Sequence, residues 1–334
     1  MTEVVRDLAR ARAMLDVKRY QEAAGLLSRL VAAEPTDSQA WCMLAQAHLG
    51  AGRHEEAAAA ANRAVSLAPA DNWPHRLASA TMLRLGNIPE ALRAASEACR
   101  LAPHQWLCHL SLAQAALAHR DFYTAEQAAA NARTLAPTEP EAHVISGKVS
   151  FARGDRDAAR AFQERALALS PTHSDALNEL GRIELRTSGN ARAARHFVQA
   201  ARSAPEVSVY RQNVQVVVRR VVTRVIYFTS VATFAFLYVT AANHPARAVV
   251  VIGLGAVALL SAAAVAMQLR RMPPEVRPLF RTRRVLGALA VAYAPILYAV
   301  LAAAVVPHSI LPAALLTAAA AMIAVRFVAN AMLR

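Results

Sequence analysis

Apolar runs in the first 207 residues break at a proline and restart a few residues later, as in LALSPTHSDALNELG (167–181), SLAPADNWPHRLA (66–78) and RLAPHQWLCHLSLA (100–113). The breaks are periodic. Pro35, Pro69, Pro103, Pro137, Pro171 and Pro205 stand 34 residues apart at every step. Placing each proline at position 32 starts the units at Val4, Ser38, Asn72, Trp106, Pro140 and Ser174. Position 20 is then alanine in all six (Ala23, Ala57, Ala91, Ala125, Ala159, Ala193). Position 27 is Ala64, Ala98, Ala132, Ala166 and Ala200, with Leu30 in the first unit. Position 15 is glycine in three units, Gly52, Gly86 and Gly154. Small residues seven apart share one stripe of a helix, where a neighbouring backbone comes close. Glycine permits a turn between antiparallel helices. Proline ends the second helix by pushing its predecessor out of the α region. The pattern predicts helix, turn, helix, proline, six times over.

From Val225 the polar face disappears. Residues 225–242 hold eighteen positions without a charge, and Ala248–Leu269, Val285–Val306 and Ser309–Val325, running past Arg326 toward Leu333, repeat the pattern. A bilayer core about 30 Å thick takes roughly 20 apolar helical residues. Four transmembrane helices are expected in 225–334, at about 222–242, 248–269, 285–306 and 309–331, with Arg326 snorkelling near a helix end. A buried bundle is the alternative, but four such runs leave no polar side to face water.

Between the two regimes, Glu206 to Asn243 contains neither proline nor glycine. Residues 208–224, SVYRQNVQVVVRRVVTR, supply one helix with no partner to follow. Such a helix caps a repeat array, here with Val209, Val216 and Val217 available for packing. It is expected to run unbroken into the first span, as one helix of about 38 residues and roughly 57 Å.

Charge changes the picture of partners. The net charge is +14, yet residues 1–207 hold 24 Lys and Arg against 22 Asp and Glu. Residues 208–334 hold 13 against a single acid, Glu275. The excess therefore gathers at the edges of the apolar runs rather than on a nucleic-acid face. Arg211, Arg219, Arg220 and Arg224 precede the first run. Arg270, Arg271, Arg277, Arg281, Arg283 and Arg284 separate the second from the third, and Arg326 and Arg334 come last. The other two loops, NHPAR and PHSILP, hold one arginine and none. By the positive-inside rule the N-terminus, loop 270–284 and the C-terminus are cytoplasmic, in a multi-pass inner or plasma membrane protein. The start, MTEVVRDLARARAML, lacks the apolar core of a secretory signal. Arginine and alanine abound while lysine is confined to Lys18 and Lys148, a bias that suggests a bacterial coding sequence.

Candidate chemistry is sparse. His75, His109 and His143 fall at position 4 of three successive units. Ligands to one zinc lie about 2 Å from it, whereas packed helices stand about 10 Å apart, so the ladder cannot converge on a metal. It reads as a polar replacement for a packing tryptophan. Cys42, Cys99 and Cys108 lack metal spacing and read as reduced, packed thiols. GDRD (154–157) has no phosphate-loop tail. The apolar runs hold no Asp, Glu, Lys or His, against an ion-coupled transporter. No catalytic, cofactor-binding or metal residue is assigned.

The unit resembles the tetratricopeptide repeat (TPR) family, whose 34-residue repeats carry Trp, Leu, Gly, Tyr, Ala, Phe, Ala and Pro at positions 4, 7, 8, 11, 20, 24, 27 and 32. The resemblance covers about residues 4–207. It is cleanest in the sixth unit, through Leu180, Gly181, Ala193, Phe197, Ala200 and Pro205, while Trp41 supplies position 4 of the second. Elsewhere position 4 is Asp7, His75, His109, His143 or Leu177, and Gln163 replaces the aromatic at 24. The implied fold is all-α, a TPR-type α-solenoid of about six helix pairs, followed by the four-helix transmembrane bundle.

Positions 2, 5, 9 and 12 share one face of each first helix, and the resemblance implies that this face lines a concave groove. It presents Arg12, Gln46, Gln114, Lys148 and Arg182 at position 9, Arg76 and Asn178 at position 5, and Trp73 at position 2. These are mainly donors and cations, diluted by Glu141 and Asp175. They suit an extended peptide with acidic residues or a free C-terminal carboxylate. Charge reversal at Lys148 and Arg182 is expected to abolish capture. The functional expectation is a non-enzymatic scaffold, anchored in the lipid bilayer, that holds a cytoplasmic protein or peptide there, with no nucleic acid involved. Two other readings stand beside it: a membrane domain handling lipid or small solute under control of the repeats, and an accessory subunit of a membrane enzyme. Oligomeric state is not set by these features.

Overall fold

Twelve helices follow the 34-residue period in the computed structural model, which describes residues 3–187, 189–243, 247–282, 285–287, 289–290, 293–294 and 297–298. First helices are α1 (Glu3–Asp16), α3 (Ser38–Gly50), α5 (Asn72–Leu85), α7 (Trp106–Ala118), α9 (Pro140–Arg153) and α11 (Ser174–Arg186). Second helices are α2 (Tyr20–Ala33), α4 (His54–Leu67), α6 (Ile88–Leu101), α8 (Phe122–Leu135), α10 (Arg156–Leu169) and α12 (Asn190–Ser203). Local chemistry sets the starts: Asp37, Asp71, Asp121 and Asp155 accept hydrogen bonds from the opening N–H groups of α3, α5, α8 and α10.

The turn inside each unit is more uniform than its sequence. Position 15 is left-handed in five units, at Lys18 (φ 61°), Gly52 (76°), Gly86 (77°), Arg120 (63°) and Gly154 (93°). All five close on the same pair of backbone bonds, as in Gly86 N–H to Leu83 C=O and Asn87 N–H to Met82 C=O, or Arg120 N–H to Leu117 C=O and Asp121 N–H to Ala116 C=O. Lys18 and Arg120 therefore hold a conformation that costs a non-glycine residue roughly 1–2 kcal/mol. Lys18→Gly and Arg120→Gly should each raise stability by about 0.5–1 kcal/mol, because relief of that strain exceeds the entropy glycine adds to the unfolded chain. The check is the urea midpoint at unchanged slope; a lower midpoint for either variant would refute it.

The chain forms two compact units, Met1–Glu179 and Leu180–Arg334. In the first, consecutive first helices α1, α3, α5, α7 and α9 touch one another, while α2, α4, α6 and α8 each pack against the first helices that flank them in sequence and α10 packs against α9. The side on which neighbours come closest is the inner side of the stack, so the first helices line it. Alanines fill the contacts: Ala23, Ala57, Ala91, Ala125 and Ala159 at position 20, and Ala64, Ala98, Ala132 and Ala166 at position 27, are all fully buried.

The second unit begins inside α11, at Leu180 within the sixth repeat. The reason is a shared apolar cluster. Ala193, Ala194 and Phe197 of α12 pack with Val214, Val217, Val218, Val221 and Val222, and with Met272, Val276 and Phe280. Gly181 faces Phe197 so closely that a Cβ there would lie 2.5 Å from the ring. The five valines belong to α13 (Ser208–Asn243), one unbroken helix of 36 residues, about 54 Å long. A long continuous helix is thus present, two residues shorter than expected. Its packing face differs from the sequence reading, since Val209 is exposed and Val216 lies outside the cluster. Among its described side chains the buried ones are Tyr210, Val214, Val217, Val218, Val221, Val222, Ile226, Thr229, Ser230 and Thr233, a stripe at helical period.

α14 (Arg247–Arg271) follows, then a 3-10 helix, Arg277–Arg281. Among the described residues no helix is long and apolar enough to cross a membrane. The first seventeen residues of α13 carry four arginines, so much of its length is not apolar. The four-span bundle expected from sequence is therefore not shown. Of its spans, 309–331 lies outside the described residues, as does most of 285–306.

Candidate functional site

The histidine ladder has a single local job. Trp41 Nε1–H donates to the carbonyl of Pro35 at 3.0 Å. At the same position, His75 Nε2 reaches Pro69 O at 2.9 Å, His109 Nε2 reaches Pro103 O at 2.7 Å, and His143 Nε2 reaches Pro137 O at 2.9 Å. A carbonyl only accepts, so each imidazole carries its proton on Nε2. Ring N–H to proline carbonyl is thus the function of position 4, and histidine performs it as tryptophan does. His109 Nδ1 is left facing the Cys99 thiol at 3.9 Å.

On the first-helix face of the N-terminal unit, Arg12, Gln46 and Gln114 are exposed and Lys148 is half-buried. Lys148 Nζ lies 3.7 Å from Asp175 Oδ2, and His173 Nε2 lies 3.4 Å from Glu141 Oε1. The cation read from sequence at Lys148 is therefore matched by an acid of the next repeat, and the acid at position 2 is itself engaged. Trp73 packs against the apolar cluster of the first three repeats instead of standing open, and Asn178 is buried. Arg182, in the second unit, is exposed.

Arg76 is different. Burial pulls its guanidinium down from the usual arginine range, against the neighbouring Cys108, Asp71 and Cys42. Both thiols are fully buried. Burial pushes Cys42 up to about 12, helped by Asp71 and Asp37, and raises Cys108 as well. They are protonated, unreactive thiols, and Cys108 donates to Asn72 Oδ1 at 3.4 Å. The result is a half-desolvated cation on the first helix of the third repeat. Sequence reasoning named Arg76 but missed the setting of Cys42, Asp71 and Cys108. Their signal was present, since Cys42 holds position 5, one repeat before Arg76.

In the second unit, the arginines assigned to a membrane interface separate. Arg219 is exposed. Arg220 is half-buried and donates to the Leu185 carbonyl. Burial lowers its pKa, and the like charges of Arg224 and Arg186 add to that. Arg270, Arg271 and Arg281 are exposed, and Arg283 and Arg284 lie outside the described residues.

The family model for tetratricopeptide repeats matches residues 8–72, 110–174 and 146–208. Over those residues the chain matches tetratricopeptide repeats. Solved structures agree on the fold. A tetratricopeptide repeat protein from Parabacteroides merdae aligns with a TM-score of 0.57 at 14% identity, over 64% of this chain and 84% of that one. A chain of the APC/C hetero-tetramer Cut9-Hcn1 aligns at 0.54 with 21% identity, over 63% of this chain. The match spans 42% of that chain, less than half its length. PilW, a type IV pilus biogenesis factor, aligns at 0.50 with 15% identity, over 61% of this chain and 96% of its own. At these identities the likeness is one of fold. No curated protein matches the chain. The TPR solenoid expected from the 34-residue period is thus established.

Proposed function

We propose that this chain is a non-enzymatic TPR scaffold that binds a protein or peptide on the inner face of its N-terminal repeats and holds it at a membrane. The observation that carries the binding part is Arg76. A guanidinium already half stripped of water loses less hydration on meeting a carboxylate, and the charge-assisted pair is stronger in that setting. The exposed amides of Gln46 and Gln114, on the first helices of the adjoining repeats, donate and accept, which suits the backbone of an extended peptide. An acidic side chain or a free C-terminal carboxylate would seat at Arg76. Lys148 contributes less than its charge suggests, because Asp175 competes for it.

The membrane part rests on the sequence: the uncharged runs 225–242 and 248–269, the two further runs, and the alternation of arginine-rich and arginine-poor loops. In this reading the repeats and the C-terminus face the cytoplasm.

Crosslinking in intact cells, followed by identification of what is captured, tests the binding part. Arg76→Gln should reduce capture by about tenfold or more, the loss of one buried charge-assisted bond. Lys148→Gln should change it by less than about threefold, as a surface ion pair does. Capture that ignores Arg76 would place the partner elsewhere. Alkaline extraction tests the anchoring separately, since release of the chain from membranes would rule out spanning helices.

A further inference from the structure

The second unit contains a cavity of about 340 Å³ where α13, the end of α14 and the 3-10 helix meet. Val222 and Val225, Leu269, Phe280 and Leu289 form its walls. Arg270, Arg277 and Arg281 also line it. Its volume lies within the range of about 300–1,000 Å³ typical of small-molecule sites. The combination is unusual: apolar walls, three guanidinium groups, and no acid among the lining residues.

This half of the chain has almost nothing to neutralise those charges. Glu275 is the single acid after residue 207, and it is held by Arg202 of α12. Arg277 is locked in place, donating through Nε to Met272 O at 3.2 Å and through Nη2 to Arg270 O at 3.3 Å. Those carbonyls lie at the C-terminal end of α14, where helix carbonyls lack intrahelical partners. Arg277 thus ties off the helix end. Arg270 and Arg281 are exposed and meet no carboxylate in an ion pair among the described residues. Like charges brought to one mouth repel, and an anion between them removes the repulsion.

The walls select which anion. A small soluble phosphate would satisfy the arginines and leave the valine, leucine and phenylalanine surface in contact with water. A molecule with a phosphate joined to hydrocarbon satisfies both. The position along the helices agrees. Val225 is the first residue of the uncharged run in α13, and Leu269 is the last in α14. The cavity therefore sits at the level where both helices change from arginine-bearing to apolar, which is where headgroups lie around an anchored protein.

We propose that this cavity is a binding site for an anionic phospholipid, with Arg270 and Arg281 on the phosphate and the apolar walls around the glycerol and first methylenes. The proposal rests on the membrane-anchoring reading above and adds to it a specific lipid class. A second cavity, of about 400 Å³ on α13 and α14, is lined by Arg224 as its one cation and lacks the arginine cluster.

The test uses the full chain purified in detergent micelles containing equal parts phosphatidylglycerol and phosphatidylcholine, with retained lipid identified by native mass spectrometry. The wild type should retain phosphatidylglycerol over phosphatidylcholine by about tenfold, the value of one charge-assisted bond. Arg270→Gln with Arg281→Gln should bring the ratio near one. Leu289→Trp, which fills the cavity and leaves every arginine in place, should lower retention of both lipids. Thermal melts establish that the variants fold. Equal retention by the wild type overturns the proposal, as does an unchanged preference in the double variant. Displacement by glycerol phosphate as effectively as by the lipid would make this a free-phosphate site and also overturn it. Micelles do not require spanning helices, so lipid preference and alkaline extraction fail independently.

Discussion

Phe197→Ala should cost about 3–5 kcal/mol, the largest single loss expected in the chain. Phe197 is fully buried and sits at the centre of the cluster that joins α12 to α13 and to the 272–280 segment. Gly181 leaves room for the ring, and as glycine it has no side chain to fill the cavity left by truncation. The effect should be confined to the second unit. Hydrogen exchange over residues 190–222 should accelerate, while exchange in α3–α8 stays unchanged. The equivalent residue one repeat earlier provides the comparison. Gln163 is also fully buried, but its amide oxygen has no partner among the described residues and its Nε2–H reaches Val144 O at 3.2 Å. A flawed polar fit gives less to lose, and Gln163→Ala should cost clearly less than Phe197→Ala. Equal losses would show that the aromatic at this position contributes nothing special.

Ala125→Leu should destabilise the N-terminal unit by about 1–3 kcal/mol through overpacking. Ala125 is fully buried at position 20 of the fourth repeat, in a cluster with Ala113, Ala116, Ala128 and Ala129. Those alanines cannot shrink or turn away, so added methylenes must push helix backbones apart. Gln127→Leu places the same side chain two residues on, at an exposed position of the same helix, and should stay within about 0.5 kcal/mol. A chemical-denaturation series of both variants decides the matter. Ala125→Leu behaving like Gln127→Leu would mean that the alanine columns reflect composition and not close approach.

Those columns are where the sequence was most legible. Proline, alanine and helix starts recur at fixed positions because each repeat solves the same short-range problem. The position-4 histidines belong with them: a ring N–H six residues from a proline carbonyl is a local arrangement, so substitution of tryptophan was readable from spacing. The left-handed turn at Lys18 and Arg120 was only half legible. Glycine advertised it in three repeats, while lysine and arginine gave no sign that the same bonds would hold them there.

By itself the sequence determined the period, the six helix pairs, the buried alanine stripes and the uninterrupted helix after Pro205. The tertiary structure decided which charges are already matched: Lys148 with Asp175, Arg202 with Glu275 seventy-three residues away, and Arg220 with the Leu185 carbonyl. It also chose the buried face of α13, where valines at 214, 216, 217, 218, 221 and 222 offered several apolar faces. Periodicity marks a face only when the opposite side is polar. Long-range ion pairs carry no periodicity at all, because their partners meet by the stacking of helices and not by their distance along the chain.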